Sequence, residues 1–176
     1  MDLSKLEYLF GEAKKLCGHD EFVVIGSLSA LAVLPAGRIP ARMLMSIDVD
    51  CYTRRDPERV FELKQALGEG SAFEAAHGYF LDPVSPSLPT LPSQWEFRLV
   101  KVALKNGITV FFLDPNDAAI SKYARGEPRD REWIQAGFAA RLLSVPIIES
   151  RLRDTVFLDD QERQRAQRAF IEDRSK

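Results

Sequence analysis

Ser46-Ile47-Asp48-Val49-Asp50-Cys51-Tyr52 has the alternation of a strand with one acidic face. Side chains at i and i+2 of a strand point to the same side. Asp48 and Asp50 therefore aim two carboxylates at one point, while Ile47 and Val49 are expected in the core. Two like charges held that close repel unless a cation lies between them. The simplest cation for an all-oxygen pair is Mg2+ or Mn2+. The simplest use for such an ion is to handle a polyphosphate. Acidic residues also dot the solvent face of ordinary strands, so the reading of Asp48 and Asp50 depends on what surrounds them.

Upstream, Glu21-Phe22-Val23-Val24-Ile25 is a short apolar run that reads as a buried strand, and Gly26-Ser27 closes it. Before it, Leu6, Leu9, Phe10, Ala13 and Leu16 recur at helical spacing. The Ser4 and Glu7 pair resembles a capping box, which places a helix over 4–17 that ends near Gly18. Residues 27–34 read as a helix that stops at Pro35. Downstream, Asp56-Pro57 pairs an N-cap with a proline at the first helical position, and Gly68 closes that helix. Gly78-Tyr79-Phe80-Leu81 reads as a third strand that ends at Asp82-Pro83. Pro83, Pro86, Pro89 and Pro92 mark 83–94 as a loop. Phe97–Leu104 and Ile108–Leu113 flank Lys105-Asn106-Gly107, a hairpin signal. Asp114-Pro115 opens a helix over 115–125, and Pro128 opens another that runs to about Leu143. Residues 146–176 read as one or two surface-exposed helices. The order predicts an α/β (α+β) fold, with an α/β core over 1–114 and a helical part over 115–176 packed on it.

The bulk numbers narrow the class. The chain has 176 residues, 45% hydrophobic and 28% charged, with a net charge of −2. That balance suits a globular domain with a real core and carries no global demand for nucleic acid or an anionic membrane. No apolar run approaches the roughly 20 residues needed to span a bilayer. The charged start, Met1-Asp2-Leu3-Ser4-Lys5, is unlike a signal peptide. Cys17 and Cys51 have no metal or redox spacing, so a reduced cytoplasmic setting is expected. His19 and His77 stand apart, which argues against a zinc site or a histidine-based triad.

Gly26-Ser27 sits between a strand and a helix. Glycine lets a backbone approach a phosphate, and a helix start offers free N–H groups. The Ser27 hydroxyl adds a donor, although Ser27 could equally be a plain helix cap. An apolar strand, Gly-Ser, a helix, and a strand bearing D-x-D together resemble the nucleotidyltransferase superfamily that includes DNA polymerase β. The resemblance implies a mixed sheet with flanking helices, Gly26 and Ser27 at the nucleotide's terminal phosphates, and Mg2+ or Mn2+ on Asp48 and Asp50. A third carboxylate on an adjacent strand would be Asp82. Two departures stand out: twenty residues separate Ser27 from Asp48, and Pro83 would end the strand right after Asp82. Asp114 is the rival third carboxylate, but it is better explained as a cap.

Ala76-His77-Gly78-Tyr79 before Asp82-Pro83-Val84, together with Leu113-Asp114-Pro115-Asn116-Asp117-Ala118-Ala119-Ile120-Ser121-Lys122, is similar to a small bacterial branch of that superfamily. That branch resembles the abortive-infection toxins of type IV toxin–antitoxin systems, and the likeness spans roughly 20–140. It implies a nucleotidyltransferase with an NTP substrate, an RNA, protein or small-molecule acceptor, and an antitoxin partner. It also implies a second constellation of Asp117, Lys122 and Asp130, in which Lys122 reaches the triphosphate and Asp130 orients Lys122 or Arg129. Solvated surface ion pairs are the plainer reading of these three. Arg38, Arg42, Arg54 and Arg55 could guide a polyphosphate or simply solubilise. Trp95, Trp133 and Tyr52 are expected to pack, and Cys51 to be buried. A catalytically silent nucleotide- or partner-binding module with the same fold is the competing class.

Overall fold

Phe10 and Phe22 stack with ring centroids 4.5 Å apart, a contact that seats the first helix on the first strand. The computed structural model describes residues 1–175. Helix α1 spans Leu3–Cys17 and buries Leu6, Leu9, Phe10 and Ala13 completely. Each large apolar side chain so withdrawn from water contributes about 1.5–3 kcal/mol. Gly18 ends the helix in the left-handed region (φ 74°), as its position after the last apolar residue suggests. The N-terminal cap differs from expectation. Asp2, in extended backbone, accepts from Lys5 N at 3.0 Å, so the helix begins one residue earlier and Ser4 lies inside its first turn.

Strands β1 (Glu21–Val24), β2 (Asp48–Thr53), β3 (Phe80–Pro83), β4 (Val100–Ala103) and β5 (Thr109–Phe112) form one mixed sheet in the order β3-β2-β1-β5-β4. Strand β1 lies in the middle, antiparallel to β2 and parallel to β5. Its Phe22, Val23 and Val24 are all buried, as a central strand requires. The hairpin between β4 and β5 turns on Asn106 (φ 58°) and Gly107 (φ 67°), the two left-handed residues of a type I′ turn.

Several local expectations are corrected. Residues 26–32 form a 3-10 helix rather than an α-helix. Four successive residues, Leu28 to Leu31, are buried there, which no single α-helical face can do, and Pro35 leaves no room to propagate. The 57–68 helix is mostly 3-10 (Pro57–Leu63), followed by one α turn, α2 (Lys64–Leu67). Helix α3 (Ala72–His77) was not foreseen, though Ser71 and Glu74 carried its signature. Ser71 accepts from Glu74 N, and Glu74 reaches back to Gly70 N at 2.6 Å. Gly78 is the cap of α3, so the third strand begins two residues later than expected and includes Asp82 and Pro83. Pro83 is tolerated because β3 is an edge strand, where a missing N–H can face away from the ladder. Ile47 precedes β2 and is half exposed rather than in the core.

Behind the sheet come α4 (Pro115–Arg125), α5 (Pro128–Ala139), α6 (Val145–Arg153) and α7 (Asp160–Arg174). Helix α5 stops four residues short of the expected Leu143. The boundaries of α4 match expectation, with Asp114 capping Asn116 N at 2.9 Å and Pro115 in the first turn. The tail is less exposed than its composition suggests. Ala166, Ala169 and Phe170 of α7 are buried, and Phe170 meets Tyr123 of α4 edge-to-face at 5.9 Å. No helix of the described residues is long and apolar enough to cross a membrane.

Candidate active site

The parallel pairing of β2 with β3 places Asp50 directly opposite Asp82, and Asp48 lies two residues back on the same face of β2. Among the described residues these three offer carboxylate oxygens that all lie within 4.8 Å of one another. Burial, then the charges of Asp48 and Asp82, push the Asp50 carboxyl up to about 7. Burial and Asp48 raise Asp82 as well. Ser46 Oγ donates to Asp48 Oδ1 at 2.5 Å, which fixes one carboxylate in place. The set is all-oxygen, convergent and too negative for its surroundings, and it therefore fits a hard divalent cation such as Mg2+ or Mn2+. Asp114 does not compete: it caps α4 and pairs with Arg151 at 2.7 Å.

Gly26 stands where β1 meets the 3-10 helix, at φ 73°. A Cβ on it would run into Asp50 Oδ2. The glycine thus meets two demands at once, a left-handed backbone and a close approach.

Facing the carboxylates is a cationic wall from α4 and α5. Lys122, almost fully buried, donates to Ser27 Oγ at 3.1 Å and to Asp130 Oδ1 at 3.0 Å. Arg125 grips Asp130 bidentately at 2.6 and 2.8 Å. Burial pulls the Lys122 ammonium below its ordinary value, against the opposing pull of Asp130. Burial would raise Asp130, but Arg125 and Lys122 outweigh it and hold that carboxyl below the usual range. Trp133 Nε1 donates to Ser27 O at 3.1 Å, and the Trp133 ring centroid lies 5.0 Å from Lys122 Nζ. Together these groups enclose a cleft of about 240 Å3, with Asp48 and Asp50 on one side and Lys122, Arg125, Arg129 and Trp133 among its other walls.

The structure brings together Gly26, Ser27, Asp48, Asp50, Asp82, Lys122 and Asp130. It separates Asp117 from them. Asp117 is fully buried between Arg98 Nε and Arg151 Nη1, each at 2.8 Å. Among the described residues Asp130 bonds Lys122 and Arg125, and not Arg129. Arg42 reaches the cleft and pairs with Glu132, whereas Arg54 and Arg55 pair with Glu21 at the opposite end of the β1–β2 pair. Cys51 and Tyr52 are buried as expected.

Sequence reasoning missed Arg125, Ser46 and the polar role of Trp133. Arg125 had a signal, its i+3 spacing from Lys122 on one helical face. Its bond to Asp130 crosses the turn at Gly126–Glu127, which no periodicity reveals.

No curated protein and no solved structure matches the chain. One family model covers it almost end to end, over residues 4–175, and its description is a nucleotidyltransferase of unknown function. With a mixed sheet, a Gly-Ser turn and an acidic trio facing a lysine, the chain belongs to that family, DUF6036.

Proposed function

We propose that the protein transfers a nucleoside monophosphate from an NTP to a hydroxyl acceptor. The observation that carries this reading is the facing of Asp48 and Asp50, which converge with Asp82, and the Ser27–Lys122–Arg125 wall across one cleft. Bound on the three aspartates, Mg2+ or Mn2+ would neutralise charge at the α-phosphate and lower the acceptor's pKa. Ser27 Oγ, Lys122 and Arg125 hold the β- and γ-phosphates, Lys122 as a point charge. Asp130 keeps Lys122 and Arg125 aimed before substrate arrives. Asp82, on the edge strand, accepts the proton of the acceptor hydroxyl. The acceptor oxygen forms a bond to the α-phosphorus, the bond to the bridging oxygen of the β-phosphate breaks, and pyrophosphate leaves with the electron pair.

The test is transfer of label from each α-labelled NTP, with Mg2+ or Mn2+ and total bacterial RNA, beside Asp48→Asn. Label that enters RNA or protein and disappears in the variant supports the reading. Equal labelling by Asp48→Asn sinks it. A Mg2+–NTP melting shift without transfer would leave a nucleotide-binding module. The toxin role carried by the resemblance is part of the same proposal. Expression should arrest bacterial growth in wild type and not in Asp48→Asn, and an antitoxin protein should relieve it.

A further inference from the structure

A second cavity, of about 310 Å3, also reaches Asp50 and Arg125. Its character is the reverse of the cationic cleft. Val84, Leu88 and Leu113 line it together with Leu158, and Arg125 is its sole cationic lining residue among those described. Leu88 and Leu158 are strongly exposed, at 66% and 83%, so two of its apolar walls are left uncovered among the described residues. It continues outward along the proline-rich loop, sharing Leu88, Pro89 and Leu158 with a shallower groove that reaches Trp95 and Val156. Its walls are built in. Glu162 of α7 is buried and ties both, accepting from Thr90 Oγ1 at 3.0 Å and from Leu158 N at 2.7 Å. Pro92 and Thr155 bridge the same two segments.

We infer that this apolar cavity is the acceptor site, and that the acceptor hydroxyl is that of a tyrosyl side chain, an uncharged and largely apolar carrier. The inference rests on the nucleotidyl transfer proposed above. Two cavities of opposite character meet at one carboxylate, so the polyanionic NTP belongs in the cationic one and the second reactant in the other. A nucleic-acid acceptor would need cations along its backbone, and this trough supplies Arg125 alone. The carrier's hydroxyl oxygen is the atom that bonds to the α-phosphorus as pyrophosphate leaves, and its proton goes to Asp82, which stands opposite Asp50 on the neighbouring strand.

The test uses the full chain and N-acetyltyrosinamide as probe, read by saturation-transfer NMR in wild type, Leu88→Glu and Leu158→Glu. Both positions are exposed, so the fold should survive, and a Mg2+–ATP melting shift checks the cationic cleft in each variant. The expected result is probe binding in wild type that weakens at least about tenfold in either variant, because a charge now lines the apolar wall. An absent wild-type signal, an unchanged signal in both variants, or displacement of the probe by tetra-adenylate would each overturn the inference. Loss of the Mg2+–ATP shift in wild type would count against the NTP reading, while probe binding would still be measured directly.

Discussion

The Asp50 carboxylate occupies the space that a side chain at position 26 would need. Gly26 is left-handed at φ 73°, and any Cβ there meets Asp50 Oδ2. Gly26→Ala should therefore cost about 1–3 kcal/mol in stability from the backbone alone. It should also displace Asp50 and suppress transfer by roughly the 10²-fold expected of a misplaced reacting group. Urea unfolding and the labelled-NTP assay read the two effects separately. Full activity in this variant would show that Asp50 is not held where catalysis needs it.

Asp50 should make the metal-free protein less stable as pH rises. Its folded value, about 7, lies above the ordinary 3.8, so the native state binds the extra proton between those limits. The contribution of Asp50 is fully present below the ordinary carboxylate value and is lost as pH rises through about 7. Melting temperatures across pH 4 to 8 in chelator should show that decline, flattened in Asp50→Asn. Adding Mg2+ should raise the melting temperature more at the alkaline end, where the carboxylates are already ionised.

Asp130→Asn removes the partner of two cations at once. Lys122 is left buried without its counter-charge, and breaking such a pair costs about 3–5 kcal/mol. Tripolyphosphate should then raise the melting temperature more in the variant than in wild type, since its phosphates can replace the lost carboxylate. Equal shifts would show that the anion binds elsewhere.

Asp117→Asn is the contrasting case. Its carboxylate joins Arg98 of the 95–98 turn to Arg151 of α6 and lies outside the cleft. The variant should lose about 3 kcal/mol or more, while keeping the same Mg2+–ATP melting increment as wild type. A selective loss of that increment would place Asp117 back in the nucleotide site.

The residues legible from sequence were those whose signal is local. Asp48 and Asp50 declared their shared face by spacing, Gly26-Ser27 by its place after an apolar run, and Asp114-Pro115 by cap chemistry. Asp82 was half legible. The proline that argued against it in a general strand is permitted at an edge, and edge position is a property of sheet order. The cationic wall was less readable because it depends on how α4 and α5 cross at Gly126. The apolar trough left no local trace, since its walls are two loops fastened by Glu162 from a third element.

Helix α7 carries none of the three aspartates, yet it holds the helix that carries Lys122 and Arg125. Arg165 Nε donates to Ala124 O at 2.8 Å, and Tyr123 OH donates to Asp173 Oδ2 at 3.2 Å. The consequence is one of leverage. The acidic side of the cleft is drawn from residues 48–82, whereas the outer brace on the lysine-bearing helix comes from residues 165 and 173. Release of α7 from the finished fold should therefore loosen Lys122 and Arg125 without touching a side chain that lines the cleft.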